Sequence, residues 1–411
     1  MKKALVSLYH DTRRILDNNR YPVKLRVYYG RTKMYETGIS ATKEEFEHGY
    51  VEQAPRGRFK KIQTMLKAIE SKAIEAADDL RFFSFEKFER ALFRDRGSIN
   101  NVIAHYCEYI SELEGQERIG TASNYRCSMN SILQFANIDR THVVERISFD
   151  TINLDFLHRY ERWMTGKEKS RSTVGIYLRP LRKLFNSAIA NGDIPPELYP
   201  FKKYRIPNGR NIKKTIEKDV LKTLYTYQTD DEFIIKARDY WFFSYQCNGM
   251  NFRDIAELRF KNLSDDYFTF LRQKTLHTTG QDPAPIVVPI TPSVARFIAK
   301  YGRKNGDDRD YIFPIFEHGM DAKEKHRTNQ NFIRFVNQHM RRLTKMVGIN
   351  FNIGTMYARH SFTTMAAREA GLEFAQEALG HTTLLTTQKY WAGFEKKVKH
   401  EVAEKLLDFI T

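Results

Sequence analysis

The stretch from Ser98 to about Ala190 constrains the fold most, because nearly all of it repeats at helical period. NNVIAHYCEYISELE, TASNYRCSMNSILQFA, LDFLHRYERWM and RSTVGIYLRPLRKLFNSAIA predict four helices. Thr121 and Ser170 stand where N-caps belong, and NGD with the Pro195-Pro196 pair stops the run. A chain of 411 residues exceeds what one such core serves, so further domains must flank this helical module.

On its N-terminal side, YPVKLRVYYGRTKMYETGIS alternates apolar and basic positions at period two around a central Gly-Arg, which predicts a hairpin. Val23, Leu25, Val27 and Tyr29 share one face; Lys24 and Arg26 share the other. ATKEEFEHG then predicts a short capped helix, and RFKKIQTMLKAIESKAIEAADDL a longer one with an apolar stripe of Ile62, Met65, Leu66, Ile69 and Ile74. On the C-terminal side FKKYRIPNGRNIKK is basic, proline-broken and non-periodic, as a linker should be. After Thr215 the pattern is mixed. Helices EKDVLKTLYTY and DEFIIKARDYWFFSYQCNG precede a hairpin, YFTFLRQKTLHTTGQDPAPIVVPI, with a Gly-Gln-Asp-Pro tip, after which helices return.

Charge narrows the partner. Sixty-seven Lys and Arg against 50 Asp and Glu leave +17, the profile of a polyanion binder. The excess is spread: 19 basic against 13 acidic residues in 1–90, 18 against 13 in 91–210, and 30 against 24 in 211–411. A long nucleic acid touched by every segment accounts for that spread, and a solvated lysine surface accounts for part of it. No apolar run is long enough to span a membrane and the N-terminus is no signal peptide, so the expected location is the cytoplasm. Cys107, Cys127 and Cys247 form neither a disulfide frame nor a zinc motif, and no P-loop, GxGxxG, HExxH or internal repeat is present. No cofactor or metal is expected.

Four further places carry chemistry: GMNFRDIAELRFKNL (Gly249–Leu263), RQKT with its hairpin, ARHSFTT (Ala358–Thr364), and LGH (Leu379–His381) with Tyr390 nine residues on. In this order and spacing, behind a basic helical domain, the sequence resembles the tyrosine recombinase family of phage-type integrases over about residues 100–411. Within it, the box reading GMN resembles integrases of Bacteroides-type mobile elements.

The resemblance implies a multidomain, mainly α fold with small β elements. It assigns an α+β arm-type DNA-binding domain (1–90), a helical SAM-like core-binding domain (97–200), a basic linker (201–214) and a mixed α/β catalytic domain with a C-terminal tail (215–411). It implies that Tyr390 attacks a DNA phosphodiester to give a 3′-phosphotyrosine, needing neither ATP nor metal. A phenol is a weak nucleophile at neutral pH and the transition state concentrates negative charge, so fixed cations are required. Arg359 can fork onto two phosphate oxygens. Lys274 matches the family's hairpin lysine, which protonates the leaving 5′-oxygen, and His381 matches the phosphate-binding histidine.

Two positions depart from the pattern. Asn251 stands where the first box has arginine, leaving one clamp charge missing. Of Arg253, Arg259 and Arg272, Arg253 lies about 200° round the helix from position 251. Arg272, two residues before Lys274 on the expected strand, shares the face of Lys274 and is the expected substitute. Asp254, at the family's acidic position, would brace the box. Met356 replaces the histidine of HxxR, and His360, about 100° from Arg359 round the helix, is expected to be a structural or backbone-contacting residue.

The expected partners are double-stranded DNA, three further copies in a tetramer assembled on it from monomers, and DNA-bending accessory proteins. The tail stripe of Val398, Val402, Leu406, Leu407 and Ile410 would pack on a neighbouring protomer or fold back on its own domain. The activity expected is site-specific recombination that integrates or excises a mobile element. The alternatives are a catalytically weakened architectural relative, given Asn251 and Met356, and a type IB topoisomerase, which needs no arm domain.

Overall fold

The computed structural model describes residues 3–405 except 14, 53–54, 79, 81–82, 94–98, 139–142, 210–213, 275, 277–283 and 395. Two compact units are present. One holds Met1–Gly115 and Thr121–Gly209, the other Gln116–Gly120 and Arg210–Thr411.

The first unit contains two separate hydrophobic cores. In the N-terminal one the expected hairpin forms as β2 (Tyr21–Tyr29) and β3 (Arg31–Ala41), and β1 (Leu5–His10), which periodicity did not reveal, pairs antiparallel with β2. Val23, Leu25 and Val27 point inward to Leu66 and Phe88, while Tyr29 is exposed. On the outer face Lys24 pairs with Asp11 and Glu36, and Arg26 donates to Ser7. The capping box of Thr42 and Glu45 starts α1 (Lys43–Phe46), and α2 (Arg58–Asp78) and α3 (Phe85–Phe93) cover the sheet. The inward face of α2 is Ile62, Leu66, Ile69, Ala73 and Ala76, which keeps three of the expected stripe and replaces the other two, since Met65 is 55% and Ile74 41% exposed. These five positions lie within about 80° of one another at 100° per residue, and two are alanines that admit close packing.

The second core belongs to α4 (Val102–Gly115), α5 (Ile119–Ala136), α6 (Leu154–Gly166) and α7 (Arg171–Asn191). Ser170 caps α7 by accepting the Thr173 N–H, as expected, whereas Thr121 lies two residues inside α5 and caps nothing there. Buried hydroxyls find partners: Tyr106 with Ser128 and Tyr160 with Ser131, each at 2.7 Å. Phe201 and Tyr204, at the start of the basic segment, are seated in this core.

In the other unit α8 (Lys218–Thr226) and the apolar α9 (Glu232–Gln246) lead into α10 (Phe252–Glu257). A two-stranded antiparallel sheet follows, β4 (Tyr267–Phe270) with β5 (Ile286–Pro289). Then come α11 (Pro292–Tyr301), α12 (Ala322–Met346), α13 (Thr355–Ala378), α14 (Leu384–Gln388) and α15 (Lys396–Lys405). Helix α9 lies at the centre against α12 and α13, and its Trp241 donates to the Gly354 carbonyl at 3.0 Å. The backbone of α13 breaks at Gly371, which separates the ARHS turn from the segment leading to the LGH loop.

The expected strand carrying Arg272 and Lys274 does not extend that far: β4 ends at Phe270, Arg272 is in coil and Lys274 in a turn. The β4–β5 register runs from Tyr267 opposite Pro289 to Phe270 opposite Ile286. The Gly-Gln-Asp-Pro tip lies outside the described residues, as do Leu406, Leu407 and Ile410 of the tail stripe. Val402 is exposed. No helix among the described residues is long and apolar enough to cross a membrane.

Candidate active site

The turn after α9 is the first part of the site. Asn248 and Gly249 both take positive φ, and a Cβ at Gly249 would fall 2.8 Å from the Arg359 Cα. Only glycine lets the two backbones approach so closely. The buried Gly249 carbonyl then accepts from Arg359 Nη1 at 3.0 Å.

Arg359, in the second turn of α13, is 4% exposed. Its Nη2 donates to the Leu379 carbonyl at 3.2 Å and to His381 Nε2 at 3.1 Å, while its buried Nε has no partner among the described residues. Burial, and then the charge of Arg272, push its pKa down to about 10, so it remains a cation at neutral pH.

His381 follows Gly380, where a Cβ would strike Ile286 Cδ1 at 2.7 Å; the bare Cα lets this loop pass under β5. Gln376 holds the loop from both sides, its carbonyl accepting the His381 N–H and its amide donating to the His381 carbonyl, each at 3.0 Å. Nδ1 meets Thr387 Oγ1 at 3.0 Å. Burial, reinforced by the charges of Arg359, Arg272 and Lys274, pushes the imidazole pKa down to about 3. The ring is neutral at physiological pH.

Tyr390 stands just past α14, half-buried, its N–H bonded to the Thr387 carbonyl at 2.9 Å. Its ring centroid is 5.6 Å from Arg359 Cζ, 5.5 Å from the His381 ring at 30°, and 4.7 Å from the His360 ring at 47°. Three residues thus wall the phenol, and His360, expected as a structural or backbone-contacting residue, is one of them. Thr387 was missed; its place one helical turn before Tyr390 was the available signal.

Asp254 is buried, and burial pushes its pKa up against the opposing pull of its partners and of the charges of Arg359 and Arg272. It accepts the Gln273 N–H at 3.0 Å and Asn251 Nδ2 at 3.4 Å. The carboxylate therefore joins the Asn251 box to the segment that carries Arg272 and Lys274. Arg253 turns to Glu257 at 3.2 Å. Arg259 stacks on Tyr311, with 4.4 Å from Cζ to the ring. The charge of Arg272, in contrast, bears on Arg359, His381 and Asp254 alike. Met356 is 41% exposed and offers no proton.

Comparison with known proteins follows this arrangement. Residues 214–397 match the phage integrase family, residues 101–206 the phage integrase SAM-like domain, and residues 8–89 the arm DNA-binding domain. Tyrosine recombinase XerD of Oceanobacillus iheyensis is 24% identical over 288 residues, which covers 66% of this chain and 86% of that protein. Among solved structures, a lambda integrase dimer bound to a COC′ core site is 14% identical with a TM-score of 0.51, covering 95% of this chain and 97% of that one. The Tn1549 transposon integrase in complex with transposon right end DNA is 15% identical with a TM-score of 0.50, covering 74% and 99%. These likenesses extend to the three-domain architecture.

Proposed function

Because this chain belongs to the phage integrase family, we propose that it is a site-specific DNA recombinase that cuts and rejoins duplex DNA through a 3′-phosphotyrosine on Tyr390, integrating or excising a mobile element. The observation that carries this reading is the packing of Tyr390 against the Arg359 guanidinium and the His381 imidazole, with Arg359 Nε buried and unpartnered. A buried guanidinium donor without an acceptor is costly unless a ligand supplies one, and a phosphate oxygen suits it.

In the proposed reaction the Tyr390 hydroxyl gives up its proton to solvent as its oxygen bonds to phosphorus, and the bond to the 5′-oxygen breaks. Arg359 and Arg272 take up the charge growing on the non-bridging oxygens, Arg272 standing in for the cation that Asn251 cannot supply. Lys274 gives a proton to the departing 5′-oxygen, and His381 hydrogen-bonds the phosphate. The phosphotyrosine stores the bond energy, so a 5′-hydroxyl from a second duplex can reverse the step with Lys274 as base. Two such exchanges on four copies pass through a Holliday junction. The basic excess in every segment supports contact with DNA by the arm-type, core-binding and catalytic parts together, with DNA-bending proteins as accessory partners.

The test is a nicked duplex taken from the DNA flanking the coding sequence, incubated with the protein and run on a denaturing gel. A covalent adduct is expected, and Tyr390→Phe should lose it while retaining DNA affinity. The neutral Asn251 and the exposed Met356 favour a second reading, a weakened architectural relative; on the same gel that protein would bind and leave no adduct.

A further inference from the structure

Resting on the recombinase reading, we infer that Thr387 is a positioning residue: its hydroxyl accepts the ring proton that the Arg359 contact places on His381 Nδ1, and it turns its hydrogen bond round when that histidine serves a phosphate. Arginine has no acceptor, so the 3.1 Å contact from Arg359 Nη2 makes His381 Nε2 the acceptor. The ring's single proton is then on Nδ1, which donates to Thr387 Oγ1 at 3.0 Å. A phosphate oxygen is itself an acceptor, so hydrogen bonding to it requires the proton on Nε2. Nδ1 is left with a lone pair that needs a donor.

A hydroxyl can accept in the first state and donate in the second by rotating about one bond. Thr387 is fully buried, so its partner comes from the protein. The cations acting on His381 are Arg359, Arg272 and Lys274, and as donors they cannot accept the Nδ1 proton; Tyr390 stacks on the ring face. The Thr387 carbonyl also accepts the N–H groups of Tyr390 at 2.9 Å and Trp391 at 3.2 Å. One residue therefore seats the nucleophile through its backbone and orients the histidine through its side chain.

Thr387→Val keeps the shape and removes the hydroxyl; Thr387→Ser keeps the hydroxyl. Single-turnover adduct formation on the nicked duplex should slow about 10- to 100-fold in the valine variant, the scale of one buried group left unpaired, and DNA affinity should hold. The serine variant should restore the rate. Independently of activity, histidine-ring ¹⁵N NMR of the DNA-free protein, assigned with His381→Gln, should show an Nδ1–H protected from exchange in the wild type and the serine variant, with that protection lost in the valine variant. An Nε2–H tautomer in the wild type, a valine variant that cleaves at full rate, or a serine variant as slow as valine would each overturn the inference. If the wild type forms no adduct, the recombinase reading falls, and the ring proton still decides the role of Thr387.

Discussion

Arg359 and Lys274 are cations whose charge bears on the same imidazole, yet the protein holds them in opposite ways. Arg359 is buried, with two main-chain carbonyls and His381 fixing its fork. Lys274 is exposed in a turn beyond a strand of four residues. Between them stands Arg272, half-buried, one residue from the Gln273 N–H that Asp254 anchors. The site is thus half fixed and half delivered. On the proposed mechanism, the charge that would stabilise the transition state is built into the core, while the lysine that would give up and take back a proton is exposed.

The largest effect should come from the fixed half. Arg359→Ala should lower cleavage by roughly 10³-fold or more, because one preorganised donor group is already worth about 10²–10³. It should also lower the melting temperature, since two buried carbonyls lose their donor. Arg272→Ala should cost about 10²-fold in single-turnover cleavage with little change in melting temperature. Arg253→Ala should leave the rate near wild type, and the reverse ranking of these two would break the assignment of Arg272.

Lys274→Ala should slow cleavage by roughly 10- to 100-fold. A substrate with sulfur in place of the bridging 5′-oxygen should relieve that loss, because a thiolate leaves without a proton; no such relief is expected for Arg359→Ala. The smallest effect is on stability. His381 is held neutral, its pKa pushed down to about 3, and unfolding returns it to about 6.5. The unfolded chain therefore binds more protons below that value, so this contribution is complete above about pH 6.5 and is lost as pH falls toward the folded value. His381→Gln should flatten the fall in melting temperature between about pH 6.5 and 4.

Local patterns in the sequence carried the helical module, the hairpin of residues 21–41 and the ordered boxes that bring Tyr390, Arg359 and His381 together, because periodicity and spacing are local properties. What failed was decided at a distance. The strand expected to carry Arg272 and Lys274 ends at Phe270, before either residue. The inward face of α2 was chosen by the sheet it covers, which prefers Ala73 and Ala76 to bulkier Ile74. Thr387 gained its place beside His381 from a fold-back that no single helical wheel contains.

Gly249 binds folding and reactivity together. Its turn must close before Arg359 can find the carbonyl that holds it, and a side chain there would collide with the arginine backbone. A chain in which this turn does not form also lacks the carbonyl that holds the Arg359 fork, so on the proposed reading the fold and the phosphate clamp are lost together.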